Sequence, residues 1–271
     1  MPEVTTRYAP GTPCWTDLAA PDQQAALDFY AGLFGWSGEI GPPETGGYSV
    51  CALRGLPVAG IMAAQIMDDA VTDEPAAPTV WTTYLASDDA DATAAAVAAH
   101  GGTVHSPVMA VHDLGRMLVA ADPTGAVFGV WEAREFVGAG LVNEPNTVIW
   151  NELNTTDPAT AGAFYRAVFG IEPAPVEDVA GAEGYSTLTV AGRPVGGMQA
   201  LPASAPPEAV PHWLVYFAVT DPDDTCRRLA ATGGTVLQPP FDMVAGRMAL
   251  VTDGAGAPFA VIRPSPLGET G

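Results

Sequence analysis

TPCWTDLAAPDQQAALDFYAGLFGW (12–36) and TVIWNELNTTDPATAGAFYRAVFGI (147–171) are two copies of one segment, and their repetition decides the architecture. Thr12, Trp15, Leu18, Asp22, Phe29, Tyr30, Phe34 and Gly35 recur as Thr147, Trp150, Leu153, Asp157, Phe164, Tyr165, Phe169 and Gly170. Asp17 becomes Glu152, so an acid stands two residues after the tryptophan in both copies. Residues 12–18 alternate apolar and polar as a strand does. Asp22 then takes the N-cap position of a helix carrying Leu27, Phe29, Tyr30, Leu33 and Phe34, and Gly35 suits the position that ends it. In the second copy Asp157 is followed by Pro158, which fits a first helical turn because no backbone N–H is needed there.

Outward from this segment the halves continue to match. GYS recurs at 47–49 and 184–186, GLPVAG (55–60) returns as GRPVGG (192–197), and WTTYLASDDAD (81–91) returns as WLVYFAVTDPD (213–223). Gly115, Arg116 and Met117 correspond to Gly246, Arg247 and Met248. Within each half the order restarts. The first half has a strand at 80–87, a helix from Asp89 to His100 closed by Gly101 and Gly102, and strands near 103–110, 115–121 and 126–132. Asp122, Pro123, Thr124 and Gly125 fit a type I turn, and the fourth unit keeps Asp253 and Gly256. A βαβββ unit is therefore expected four times, near 12–65, 80–132, 147–200 and 212–262. The expected domains are 1–133 and 147–271, joined by a linker at 134–146, with Pro/Ala-rich connections at 68–78 and 200–211.

The 271 residues suit two domains. Ten Lys plus Arg against 31 Asp plus Glu give a net charge of −21, which repels phosphate backbones and anionic lipid, so neither a nucleic-acid nor a membrane partner is expected. A hydrophobic fraction of 48% is that of a globular chain. Met1 to Gly11 holds one Arg and no apolar run, so no secretory signal is expected and the chain is read as cytoplasmic. Cys14, Cys51 and Cys226 are odd in number and far apart, which points to reduced, packed thiols. GxSxG, GxxxxGK[ST] and a GxGxxG after a strand are all absent, so serine-hydrolase, nucleotide-binding and dinucleotide-dependent readings lack support.

Four βαβββ units, an FY pair in the first helix of each half and a DPTG hairpin before a last strand resemble the vicinal oxygen chelate superfamily. That superfamily includes glyoxalase I, extradiol dioxygenases, bleomycin-resistance proteins and fosfomycin-resistance enzymes. WTDL, LDFYAGLFGW, WNEL, FYRAVFG, GRM and DPTG resemble in particular a two-domain actinobacterial branch described as glyoxalase-like or hydroxylase-like. The resemblance implies an α+β fold: two tandem domains with cupped mixed sheets, helices on the convex side and a ligand in the cup. It also implies where a metal would bind, because the family's metalloenzymes place His, Glu or Gln on the first strand of a unit and a carboxylate on the last. The corresponding positions here are Trp15, Met62, Thr82 and Gly129 in one half, and Trp150, Gln199, Leu214 and Ala260 in the other. A divalent ion needs several convergent donors, and one neutral amide does not hold it. No metal site and no cofactor are therefore expected.

Side chains alternate along a strand, so Trp15 shares a face with Asp17, Trp150 with Glu152, Thr82 with Tyr84, and His212 with Leu214 and Tyr216. Each cup is thus expected to hold a Trp, a carboxylate and a Tyr. An aromatic wall with few polar groups suits a flat, partly apolar organic molecule. The expected ligand contacts are Trp15, Tyr84, Arg116, Trp150, His212, Tyr216 and Arg247, with Asp17 and Glu152 as candidate general bases. Against these stand plainer roles: the tryptophans as core, the acids and arginines as structural hydrogen-bond or ion-pair partners, and His100, His105 and His112 as surface residues. The first functional expectation is metal-independent binding of an aromatic or antibiotic-like metabolite. The alternative is a metal-independent isomerase, lyase or hydroxylase with Asp17 or Glu152 as base and Tyr84, Tyr216 or His212 as proton donor. A metal-dependent glyoxalase or dioxygenase would follow if the strand register were displaced by one or two residues. A small organic ligand is the expected partner, bound by a monomer or homodimer.

Overall fold

The computed structural model describes residues 3–64, 79–177, 179, 181–201 and 209–265, so the connection expected at 68–78 and most of that at 200–211 lie outside the described residues. The first half runs β1 (Pro13–Ala20), α1 (Gln23–Phe34), β2 (Ser49–Leu53), β3 (Leu56–Ala63), β4 (Trp81–Ser87), α2 (Ala90–Ala99), β5 (Thr103–Val104), β6 (Met109–Val111), β7 (Gly115–Ala121) and β8 (Val127–Ala133). The second half runs β9 (Val148–Thr155), α3 (Pro158–Phe169), β10 (Glu172–Pro175), β11 (Ser186–Val190), β12 (Arg193–Ala200), β13 (His212–Ala218), α4 (Pro222–Ala231), β14 (Thr235–Met243), β15 (Gly246–Thr252) and β16 (Pro258–Pro264). The fold is α+β with tandem curled mixed sheets, as the resemblance implied.

Local chemistry sets the boundaries. Asp22, Asp89, Asp157 and Asp221 each accept backbone N–H groups in the first turn of the helix that follows. Gly35 and Gly170 end α1 and α3 in the left-handed region, at φ 72° and 67°. The strand expected over 103–110 breaks into β5 and β6. Pro107 lies in the break and cannot donate to the β7 ladder, and the Ser106 hydroxyl takes the Val119 N–H instead, at 2.8 Å.

Among the described residues, all pairing of these strands stays within a half. The first sheet has the order β2-β3-β1-β4-β8-β7-β5, with β6 also on β7, and the second has β10-β11-β12-β9-β13-β16-β15-β14. At the centre of each, the first strands of two units run antiparallel, β1 against β4 and β9 against β13.

The helix-covered cores, by contrast, cross between the halves. Tyr30, Phe34 and Trp36 pack with Phe217, Phe259 and Val261 of the second half, while Phe128, Leu118 and Val130 pack with Phe164, Tyr165 and Phe169. Polar links follow the same exchange. The Tyr30 hydroxyl donates to Asp253 at 3.1 Å and accepts the Trp81 indole N–H at 3.1 Å. Tyr165 accepts the Trp213 indole N–H at 2.9 Å and adjoins Asp122. The Thr83 hydroxyl donates to the Asn151 side-chain carbonyl between the backs of the two sheets, at 2.8 Å. The FY tyrosines and the hairpin aspartates of the repeat therefore join the halves. No helix among the described residues is long and apolar enough to cross a membrane.

Candidate functional site

The concave faces are built from the central strand pairs. In the first sheet Trp15 stands opposite Tyr84, Asp17 opposite Thr82 and Gly60, and Tyr84 opposite Gly129. In the second sheet Trp150 stands opposite Tyr216, Glu152 opposite Leu214 and Gly197, and Tyr216 opposite Ala260. Strand register thus brings Trp15, Asp17 and Tyr84 together in one cup, and Trp150, Glu152 and Tyr216 together in the other.

A second tyrosine completes each cluster, and sequence reasoning missed it. The Trp15 indole N–H donates to the Tyr48 hydroxyl at 2.7 Å, and that hydroxyl donates to Asp17 Oδ2 at 3.1 Å. In the second cup the Trp150 N–H donates to the Tyr185 hydroxyl at 2.9 Å, and Tyr185 adjoins Glu152. Both tyrosines lie in the repeated GYS, which was the available signal. Their rings lie across the neighbouring strand at a glycine. A Cβ on Gly60 would come within 1.9 Å of the Tyr48 hydroxyl, and one on Gly197 within 1.7 Å of the Tyr185 hydroxyl. Only a residue without a side chain fits there.

The acids are buried, at 2% exposure for Asp17 and 5% for Glu152. Burial pushes the Asp17 carboxyl up to about 7, against the opposing effect of the Tyr84 and Tyr48 hydroxyls, and among the described residues Oδ1 has no hydrogen-bond partner. Burial also raises Glu152, with Tyr216, Asn154, Tyr185 and Gln199 opposing it. Glu152 Oε1 accepts from Tyr216 at 3.0 Å, Gln199 at 3.0 Å and Asn154 at 3.3 Å, and all of these bonds fall on that one oxygen. Gln199, weighed in the sequence only as a weak metal contact, serves to hold the acid.

Arg116 and Arg247 do not enter the cups. Their neighbours Met117 and Met248 take the concave parity, so the arginines project from the opposite face toward α2 and α4. There Arg116 pairs with Asp91 at 2.6 Å and Glu132 at 3.3 Å, and Arg247 with Asp223 at 2.6 Å and Asp242 at 3.2 Å. The ligand contact expected of them gives way to ion pairs that fasten each helix to its sheet. His212 starts β13 opposite Asn154 at the rim of the second cup, with Nδ1 2.9 Å from the Val210 carbonyl. His112 sits in a turn at φ 47°.

The two cups differ in what covers them. Trp15 is 8% exposed, and Phe136 lies edge-on against it with ring centroids 4.9 Å apart at 87°. Trp131 flanks Phe136 at 6.0 Å and donates its indole N–H to the Phe136 carbonyl at 2.9 Å. Residues just beyond Phe136 are tied down, because Ala139 N–H bonds to the Cys14 carbonyl and the Tyr8 hydroxyl bonds to the Ala139 carbonyl. In the second cup Trp150 is only partly buried, and among the described residues no aromatic ring packs on it. Phe241, which pairs across the strands with Met248 and so shares its concave parity, is 37% exposed, and Met243 on the same parity is 41% exposed.

The sequence profile of the Glyoxalase/Bleomycin resistance protein/Dioxygenase superfamily matches residues 14–130 and again 147–261, and the chain belongs to that superfamily. It is 43% identical over 264 residues to "Putative glyoxylase CFP32" of Mycobacterium tuberculosis, covering 96% of this chain and 98% of the relative. It is 40% identical over 266 residues to "Anthracycline biosynthesis protein DauV" of Streptomyces sp. strain C5, covering 95% and 94%. Among solved structures, the Mn(II)-bound glyoxalase from Novosphingobium aromaticivorans superposes with a TM-score of 0.59 at 18% identity, covering 96% of this chain and 89% of the other. The 2,3-dioxygenase LapB from Pseudomonas sp. KL28 superposes with a TM-score of 0.63 at 12% identity, covering 96% of each chain. These structural likenesses bear on the fold.

The metal that such neighbours imply does not fit the residues present. The pairings bring Trp15, Thr82, Met62 and Gly129 to the centre of the first concave face, and Trp150, Leu214, Gln199 and Ala260 to that of the second. No group of three His, Cys, Asp or Glu side chains forms among the described residues. Of the residues at these positions only Thr82, Met62 and Gln199 carry a donor atom, a hydroxyl and a thioether in one cup and an amide already bonded to Glu152 in the other, which falls short of the several convergent donors an ion requires.

Proposed function

We propose that the protein binds a small, planar, partly apolar organic molecule in a concave sheet face without a metal ion. The carrying observation is the donor set: where a chelating centre would need carboxylate or imidazole, each cup presents an indole beside a carboxylate ringed by two tyrosines. The indole supplies stacking and apolar area, and the carboxylate with its phenols fixes the ligand's polar edge. The relatives named for anthracycline biosynthesis support an aromatic ligand, since an anthracycline is a fused-ring molecule of the shape an indole wall suits. A surface of net charge −21 favours neutral or cationic ligands over anions.

Equilibrium dialysis with a neutral planar probe, 2-naphthol, tests this reading. Binding is expected to be the same in the presence of a chelator and after addition of Mn(II), Fe(II) or Zn(II). Binding that appears only with added metal would contradict it.

A second reading is favoured by the raised carboxyls. An acid held near 7, as Asp17 is, can exchange a proton at neutral pH, and this supports a metal-independent isomerase, lyase or hydroxylase using Asp17 or Glu152 as base. On that reading Asp17→Asn and Glu152→Gln abolish turnover while changing ligand affinity by less than about tenfold. Turnover that survives both substitutions would remove it.

A further inference from the structure

We infer that Phe136 is an internal occupant of the first cup and that the second cup, with Trp150 as its wall, is the one that takes a ligand. The inference rests on the binding reading above and deepens it by assigning the cup, the pose and the stoichiometry.

The two cups are built alike. Trp15 and Trp150 each donate an indole N–H to a tyrosine that serves the buried acid, and Tyr84 and Tyr216 complete the clusters. In the first cup an aromatic ring rests edge-on against the tryptophan, with centroids 4.9 Å apart at 87°, and that ring belongs to the chain itself. It is held there by its own backbone. The Phe136 carbonyl accepts from Trp131, and the Phe136 N–H bonds to the Leu114 carbonyl at 3.1 Å. Gly138 follows at φ 110°, where a Cβ would come within 2.3 Å of the Cys14 carbonyl, so glycine allows the chain to close down over the cup.

In the second cup the place of Trp131 is taken by Ile262, and Trp150 is half-buried with no ring upon it among the described residues. The apolar wall continues outward through exposed Phe241 and Met243. The bonds from Tyr216, Gln199 and Asn154 all fall on Glu152 Oε1, with the Tyr185 hydroxyl beside the same carboxyl, so Oε2 takes none of those three and has a lone pair for a ligand. The ligand class follows: an aromatic ring set edge-on to Trp150, as Phe136 is to Trp15, carrying a hydroxyl or amine donor directed at Glu152. A phenol satisfies both requirements.

The test combines stoichiometry with a measurement that needs no ligand. The wild type is expected to bind one equivalent of 2-naphthol, and Trp150→Ala is expected to weaken it at least ~tenfold, the scale of one lost aromatic pair plus its buried area. Phe136→Ala is expected to create a second equivalent, removed again by adding Trp15→Ala. In acrylamide quenching of the wild type, the accessible fluorescence should disappear in Trp150→Phe and persist in Trp15→Phe. This second measurement tests the closure of the first cup even if Phe136→Ala does not fold. Two equivalents in the wild type, or one that Trp15→Ala abolishes and Trp150→Ala spares, would overturn the assignment alone. No 2-naphthol bound by the wild type or by a folded Phe136→Ala would overturn the binding reading and this assignment with it.

Discussion

Trp15 and Trp150 occupy the same position in two copies of one unit, and each gives its indole N–H to a tyrosine hydroxyl, at 2.7 Å and 2.9 Å. One is sealed under Phe136 at 8% exposure, and the other lines an aromatic wall without a ring packed on it among the described residues. The units contribute Trp131 in the first cup where the second has Ile262, and the larger part of the difference lies outside them. It comes from the segment that joins the halves, since residues 134–142 leave β8, cross the first cup and are stitched to β1 and β3 through Ala139 and Gly140. Duplication supplied two equivalent clusters, and the covalent connection distinguishes them. The cup beside the connection is covered by it, and among the described residues its twin is not.

The sharpest way to break this comparison is to cut both tryptophans and compare the costs. Trp15→Ala should destabilise the protein by ~3–5 kcal/mol, as expected for a large aromatic removed from a packed site, and Trp150→Ala by only ~1–2 kcal/mol because less area is lost. Urea unfolding of both variants measures this, and equal costs would mean that the cups are equally filled.

Next in size is a pH effect on the closed cup. Asp17 is raised from 3.8 to about 7, so the folded chain holds that proton more tightly than the unfolded chain does. The stability this group contributes is fully present below about pH 4, falls by ~1.4 kcal/mol per pH unit as the pH climbs toward 7, and is level above that. Asp17→Asn should flatten that part of the stability profile, and an unchanged slope would show that the carboxyl is not sequestered.

Gly138→Ala comes third, at about 2–3 kcal/mol, from the strain at positive φ and the clash with the Cys14 carbonyl. It should also raise acrylamide quenching of Trp15, which a generally weakened core elsewhere would not do. The smallest effects belong to Arg116→Ala and Arg247→Ala. They remove exposed ion pairs on the helix side of each sheet and should leave 2-naphthol affinity unchanged. A loss of affinity in either would return these residues to the cup.

Much of the cup was legible in the sequence because the strand period is short and the repeat pins it. Trp15 with Asp17 and Tyr84, and Trp150 with Glu152 and Tyr216, follow from counting residues against Asp22, Asp157 and the restart of each unit. The same alternation places Met117 inward and therefore Arg116 outward, toward Asp91 and Glu132, a parity that the charge of the arginines alone does not show. Tyr48 and Tyr185 were visible as a repeat but not as partners, because their approach to the acids depends on Gly60 and Gly197 in a neighbouring strand. The exchange of helix cores between halves was not legible at all. Amphipathic period shows that Tyr30 and Phe34 are buried, yet nothing local in it says that they are buried against Phe217 and Phe259. Phe136 was hidden for a similar reason, since a connection read by composition gives no hint of the concave face it crosses.

A crystal structure of the protein soaked with 2-naphthol distinguishes the two cups directly. The naphthol ring is expected edge-on to Trp150 with its hydroxyl directed at Glu152, and Phe136 still seated on Trp15. Naphthol on Trp15 with Phe136 displaced, and no naphthol at Trp150, would contradict this.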